Sequence, residues 1–241
     1  MLNRIGALSA CGLLAVILAA RPAAAAVVIY SGYDATATSN ATKPNSDAAH
    51  SAFLAAVAGL QDTFTQTFEG GPTGQLASYD LGGGGTMTSS DLSKKPQVIR
   101  TAIQCQYALC GGNTTAGGKT YLSINGGTVT FTFADPIQAF GAYFTGPQFS
   151  GLTLTFNDGS SQSVDVPGFF GADFVGFTDF GRAISQVTFD GTHDIMAMDD
   201  ITFSLASVSG VPEPAAWATM IAGFGLVGAT LRGRRRSPFA A

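Results

Sequence analysis

The chain is 241 residues long, with 46% hydrophobic side chains, 31 glycines and a formal net charge of −4. The charge is uneven: 15 acidic and 6 basic residues between Val27 and Gly210 leave −9 there, while the other six basic residues sit in the two terminal segments. Such a middle excludes a basic footprint for nucleic acid, and its aromatic and aliphatic content excludes a disordered stalk.

Residues 1–26 have the layout of a secretory signal peptide. Arg4 is the positive start, Ile5 to Ala20 the apolar core, and Pro22 with four alanines supplies small residues for cleavage. Leu8-Ser9-Ala10-Cys11 mimics a bacterial lipobox, but a lipobox closes the apolar region and here it runs on to Ala20, so cleavage near Ala26 is expected. Setting both ends aside leaves about 185 residues, enough for one domain, 27–208, with a sizeable core.

Val27–Tyr30 reads as a first strand and residues 31–46 as a polar surface loop. Ser46 or Asn45 suits an N-cap, with Asp47 in the first turn. Phe53, Leu54, Val57 and Leu60 then fall at helical spacing, which predicts one short amphipathic helix over 47–58 with His50 exposed.

From there the pattern alternates. Phe64, Gln66 and Phe68 oppose Thr63, Thr65 and Thr67, four glycines at 82–85 predict a flexible loop, and 86–119 is hard to assign. After a turn at Asn125-Gly126-Gly127, Val129, Phe131 and Phe133 oppose Thr128, Thr130 and Thr132 until Asp135-Pro136 ends the strand. Further strands are expected at Phe140–Phe144, at Leu152–Phe156 with its hairpin partner Ser163–Val166, at Phe174–Phe177, at Ser185–Phe189 and at Asp200–Leu205. Turns about every ten residues, with abundant Gly, Thr, Ser and Asp, predict an all-β fold: an antiparallel, jelly-roll-like β-sandwich carrying one short N-terminal helix. The single Thr128/Thr130/Thr132 row invites an ice-binding reading, but one such row on one strand is far more often an ordinary solvated face.

Two cysteines, Cys105 and Cys110, remain once Cys11 in the leader is set aside. In an exported chain with no further Cys or clustered His they read as a small disulfide loop and not a metal site.

A search for catalytic motifs is negative: there is no Gly-x-Ser-x-Gly elbow, no His-Glu-x-x-His, and no phosphate-binding loop. A carboxylate pair for glycoside hydrolysis stays open in principle, but the chain has only two glutamates and Glu213 lies in the tail. A non-catalytic protein is expected. Tyr143 beside Gly146-Pro147-Gln148-Phe149 is the candidate exposed ligand face, with Tyr143 and Phe149 as stacking rings. Tyr79, Tyr107 and Tyr121 are further rings that could stack on a sugar, while most of the 18 phenylalanines belong to the core.

Phe68-Glu69 early and Asp199-Asp200-Ile201 late resemble the pattern of jelly-roll modules such as MAM and carbohydrate-binding-like domains. That resemblance implies neighbouring first and last strands and a structural calcium, held here by Glu69, Asp199 and Asp200 through hard oxygen ligands. In an extended strand, however, Asp199 and Asp200 point to opposite faces, so both reach one site only across a bulge or turn.

The last segment, 209–241, is the most specific. Val211-Pro212-Glu213-Pro214 leads into an apolar run, 215–231, that stops at Arg232, Arg234, Arg235 and Arg236. The run would make about 25 Å of helix, the short end of a bilayer span, with the arginines on the cytoplasmic side. By itself this is a plain membrane anchor. Pro212, Glu213, Pro214, Trp217, Ala218, Gly223, Gly225 and the Arg232–Arg236 cluster together resemble the PEP-CTERM sorting signal of the PEPxxWA type. The resemblance implies recognition by exosortase at the inner membrane of a Gram-negative bacterium that makes exopolysaccharide. It also implies an exported cell-surface or matrix protein associated with polysaccharide. A secreted carbohydrate-active enzyme and a purely structural surface protein are the alternatives.

Overall fold

The computed structural model describes residues 27–37, 43–60, 62–89, 97–99, 103–104, 109–148, 150–156, 159–166, 168, 170–178, 184–191, 195–206, 220–227 and 232. In chain order they form β1 (Val28–Asp34), α1 (Pro44–Val57), β2 (Thr63–Gln66), β3 (Gly74–Gln75), β4 (Ser78–Gly82), β5 (Gly85–Ser89), β6 (Gln97–Ile99), β7 (Ile103–Gln104) and β8 (Leu109–Gly111). Then come β9 (Tyr121–Asn125), β10 (Thr128–Thr145), β11 (Ser150–Phe156), β12 (Ser161–Val166), β13 (Ala172–Thr178), β14 (Ile184–Asp190) and β15 (Ile195–Leu205). Every described ladder is antiparallel.

β10 is the spine of the sandwich. Its first half pairs with β14 on one side and β5 on the other, and its second half pairs with β13 and β15. Two layers therefore diverge from one strand: β12-β11-β14-β10-β5-β4, and β1-β13-β10-β15, with β2 and β9 sharing the far edge of β15. The expected strand end at Asp135-Pro136 is instead a bend inside one 18-residue strand. The ladder to β14 slips between Thr132 and Ile137, so the proline, which has no N–H to give, falls where the strand is changing partners.

The alternation read from sequence places the core. Val129, Phe131 and Phe133 from one half of β10 face Phe140, Ala142 and Phe144 from the other within a single cluster. Ring centroids of Phe131 and Phe140 lie 5.5 Å apart, and those of Phe144 and Phe189 5.6 Å. Tyr79 and Tyr121 are buried, Tyr79 in this core, so neither is free to stack on a sugar, and Tyr107 lies outside the described residues. Thr128, Thr130 and Thr132 point outward between these buried positions. The four glycines form a tight β4–β5 turn and not a flexible loop, with Gly82, Gly83 and Gly84 all at positive φ.

β13 is buried along its whole length because its second face is covered too. There α1 lays Phe53 and Val57 against Ala139, Tyr143 and Phe174. Phe53 rests on two glycines that pair across the ladder, Gly141 and Gly176. A Cβ on Gly176 would lie 2.7 Å from the Phe53 ring, and one on Gly141 would lie 3.0 Å from it. Only bare backbone lets the helix approach this closely.

The helix starts at Pro44, earlier than expected, and Lys43 at its cap position makes no side-chain capping bond. Asp34 at the end of β1 supplies the cap from a distance. Its Oδ1 accepts from Asn45 N (3.1 Å), and its Oδ2 accepts from Ser46 N (2.8 Å) and Ser46 Oγ (2.7 Å). These are first-turn N–H groups with no partner inside the helix. Burial pushes the Asp34 carboxyl up, but the Ser46 and Asn45 donors outweigh it and its pKa ends below the usual value. His50 is half-buried and not exposed, with ring centroids 4.9 Å from both Tyr143 and Phe174.

Next to the Asp34 register position, Asp173 is fully buried, and neither of its carboxylate oxygens has a hydrogen-bond partner among the described residues. Burial first, and the nearby Asp34 charge second, push its pKa up to about 8.

Within the expected membrane helix, residues 220–227 are helical, and Met220, Ile221, Phe224, Leu226 and Val227 are exposed. Gly223 and Gly225 lie in this stretch. Among the described residues no helix is long and apolar enough to cross a membrane. The signal peptide, Pro212, Glu213, Pro214, Trp217, Ala218, Arg234, Arg235 and Arg236 lie outside the described residues.

Gly176→Ala should destabilise the protein by about 1–3 kcal/mol through overpacking against Phe53. Gly59→Ala, where an added Cβ meets nothing within 4 Å, should be near neutral in the same denaturant titration. Asp173 carries a pH signature. Its folded pKa of about 8 exceeds the ordinary value of 3.8, so its stabilising contribution is complete below pH ~4 and is lost as pH rises towards 8. The loss is at most about 1.4 kcal/mol per pH unit. Asp173→Asn should remove this part of the slope, and melting curves between pH 4 and 9 measure it.

Candidate functional site

The site begins with an irregularity in β15. Gly141 opposes Thr202 but Tyr143 opposes Asp199, so one extra residue is accommodated, and Asp200 takes φ +46°. This is a bulge, of the kind that re-aims side chains. On the other edge of β15 the neighbour changes at the same place, from β9 beside 195–198 to β2 beside 201–204. On that edge Asp199 and Asp200 therefore sit in a gap between two strands, where no described ladder partner faces them. The loop 112–120 fills the gap.

Side chains hold that loop. Asp199 Oδ2 accepts from Thr114 N (2.7 Å), Asn113 Nδ2 (3.0 Å) and Thr115 N (3.2 Å). Asp200 Oδ1 accepts from Thr115 Oγ1 (2.6 Å), and Asp200 Oδ2 from Thr114 Oγ1 (3.0 Å). Glu69 Oε1 takes the other end of the loop, accepting from Lys119 N and Thr120 N at 2.6 Å each. Asn113 Nδ2 also reaches Glu69 Oε1 at 3.2 Å, which links the two ends. Burial, and then the Asp200 charge beside it, push the Asp199 carboxyl up to about 7 against the pull of its N–H donors.

The three acidic residues singled out in the sequence thus converge on one loop, and the bulge is what turns both aspartates toward it. They serve as acceptors for N–H and O–H donors. Among the described residues no group of three Asp, Glu, His or Cys side chains is placed to hold a metal ion. Cys110 is disulfide-bonded. Its expected partner Cys105 lies outside the described residues, as does Phe149.

Between this loop and α1 lies an open cleft of about 570 Å³. Lys43, Asp47, His50 and Leu54 form the helix wall, Thr114–Gly117 the loop wall, and Thr65, Tyr143 and Asp200 contribute from the sheet. Tyr143 is 2% exposed, so it is not the stacking ring that the sequence suggested. Lys43 Nζ covers its ring at 4.4 Å from the centroid. The Tyr143 hydroxyl donates to Asp47 Oδ1 at 2.7 Å and lies 3.1 Å from His50 Nδ1. Burial first, and this bond second, hold the phenol well above its usual pKa, so it keeps its proton. That single proton goes to Asp47, so His50 Nδ1 carries the N–H that faces the phenol oxygen. Nε2 is left as a lone-pair acceptor, buried and without a hydrogen-bond partner among the described residues. Burial, the largest cause, lowers the His50 pKa, so the imidazole is neutral at pH 7. Lys43 Nζ is paired with Asp47 Oδ1.

Sequence reasoning missed Lys43, Asp47 and His50 as a functional group. The signal was faint: Lys43 and Asp47 stand four apart, as ion pairs on a helix do, but nothing local places them beside Tyr143.

No protein-family model matches the chain, and no curated protein matches it. Among solved structures, the chain is similar to a family 61 carbohydrate-binding module in complex with β-1,4-galactotriose: 12% identity, 51% of this chain, 88% of the other, TM-score 0.33. It is also similar to a family 29 carbohydrate-binding module from Piromyces equi: 12% identity, 62% and 94% of the two chains, TM-score 0.31. The catalytic unit of an α-1,3-glucanase from Streptomyces thermodiastaticus gives 18% identity, 54% of this chain, 28% of the other and TM-score 0.26. Likenesses at these scores carry no argument about what the cleft holds.

Asp199→Ala should strand the Thr114 and Thr115 amides at a cost of about 1–3 kcal/mol each. Hydrogen exchange of both amides should accelerate in the variant. Since the carboxylates already face donors, the wild-type protein should melt at the same temperature in calcium and in chelator.

Proposed function

We propose that this is an exported, non-catalytic surface protein that holds polysaccharide in the cleft between α1 and the 112–120 loop. The observation that carries the reading is the lining of the cleft. Its volume is that of a small-molecule site, and two carboxylates, an imidazole and the hydroxyls of Thr65, Thr114, Thr115 and Tyr143 stand along its walls beside apolar surface. Leu54, 39% exposed, and Ala116 supply modest apolar contact. A polyhydroxylated ligand suits such walls, since each sugar hydroxyl both donates and accepts. The sandwich gives the cleft a rigid base, and no step of this reading needs a metal.

The sequence at the two ends supports the route. The signal peptide delivers the chain to the secretory pathway, and the Pro212-Glu213-Pro214 segment with its apolar run and arginines resembles the signal that exosortase reads at the inner membrane. On this reading the jelly-roll-like domain is displayed outside, at the cell surface or in the exopolysaccharide matrix.

A glycan array together with a reducing-sugar release assay tests the function. Binding without turnover is expected, and Leu54→Arg at the rim should weaken binding more than about tenfold with an unchanged melting temperature. Turnover that disappears in Asp47→Asn or Asp200→Asn would instead make the protein an enzyme. Replacing Pro212 and Pro214 with alanine in the native host should leave unprocessed chain in the inner-membrane fraction.

A further inference from the structure

The hydrogen-bonding capacity left in the cleft is one-sided. The Thr114 and Thr115 hydroxyls have donated to Asp200, the Tyr143 hydroxyl has donated to Asp47, and His50 Nδ1–H faces the phenol oxygen. Lys43, with its side chain only 6% exposed, is engaged by Asp47 and by the Tyr143 ring. Apart from the remaining N–H groups of the largely buried Lys43 ammonium and the loop backbone, the side-chain capacity that remains toward a ligand is acceptors. Asp47 Oδ2 has no donor among the described residues, its side chain is 50% exposed, and Asp200 keeps lone pairs on both oxygens. The charge is one-sided as well: two carboxylates against one ammonium that is already paired, beside a neutral imidazole.

From this we infer that the cleft selects an amino sugar with a free ammonium, a hexosamine unit, over its N-acetylated and carboxylated counterparts. An ammonium brings three donors and no lone pair, which matches an acceptor-lined, net-negative cleft. A uronate brings acceptors and a like charge against Asp47 and Asp200, and like charges placed together are disfavoured. An N-acetyl group removes the charge and leaves one N–H, which places it between the two. The inference rests on the carbohydrate reading and names the ligand class for the same site.

The test is titration calorimetry of the full-length protein with length-matched oligomers of glucosamine, N-acetylglucosamine and glucuronate, with spermidine as a cation that is not a sugar. The glucosamine oligomer should bind about fivefold or more tightly than the N-acetylated one, the glucuronate oligomer most weakly, and added salt should narrow the gap. Asp200→Asn should bring the first two ligands to equal affinity, and asparagine suits the positive φ of that position. Asp47→Asn, which releases Lys43, should raise affinity for the glucuronate oligomer. Tighter binding of the N-acetylated or glucuronate oligomer overturns the inference and leaves polysaccharide binding standing. Spermidine binding as tightly as the amino sugar also overturns it. No binding of any oligomer overturns both readings.

Discussion

The bulge at Asp199-Asp200 is the constraint on which the site depends. Two adjacent residues of a regular strand face opposite sides, and one extra residue with positive φ brings both carboxylates to the same side. The bulge lies where β15 runs out of one neighbour and has not yet met the next. A bare strand edge there would leave backbone groups without partners, and the structure covers it with a loop fastened by side chains. A buried carboxylate is costly unless it is hydrogen-bonded. Here the several loop donors around one Asp199 oxygen offset part of that cost, and burial still holds its pKa at about 7. Holding the loop and shaping one wall of the cleft are a single event.

The opposite wall depends on a contact of another kind. Phe53 reaches the sheet because Gly141 and Gly176 present no side chains, and Asp34 caps the helix from the adjoining strand. Both devices fix α1 over β10 and β13, which brings Lys43, Asp47 and His50 above Tyr143. Tyr143 joins the walls: its body is buried in the helix–sheet contact and its hydroxyl ties Asp47 to His50. The polar network is rigid on its inner side, and its unfilled acceptors lie toward the cleft. Asp173 stands apart from this network, buried without a partner among the described residues on the face next to the helix cap.

Much of the fold is legible in the sequence. Val129, Phe131 and Phe133 alternate with threonines as a half-buried strand must, and they are core. The 150–166 hairpin and the final strand fall where turn residues and apolar runs put them. Asp135-Pro136 misled, because proline ends a strand only when its missing N–H is needed for a ladder, and at a change of partner it is not. His50 misled as well, since a histidine among alanines looks solvated until another element is laid against it. The three acidic residues of the site were visible as a group, but their hold on the amides and hydroxyls of the 112–120 loop was not, because that loop resists assignment from sequence.

The division has a physical cause. Hydrophobic alternation and turn chemistry act within a few residues of chain, so the sequence alone determined the β class and the helix that follows the first strand. Register, the bulge and the change of neighbours along β15 depend on which distant strands lie side by side. Only the tertiary structure could decide that Asp199 and Asp200 share a side, that Tyr143 is a buried strut and not a platform, and that Asp47 and Asp200 face one cleft. The bonds that fix Asp199 to its loop and Tyr143 to its helix join residues 84 to 96 positions apart, and no local pattern encodes them.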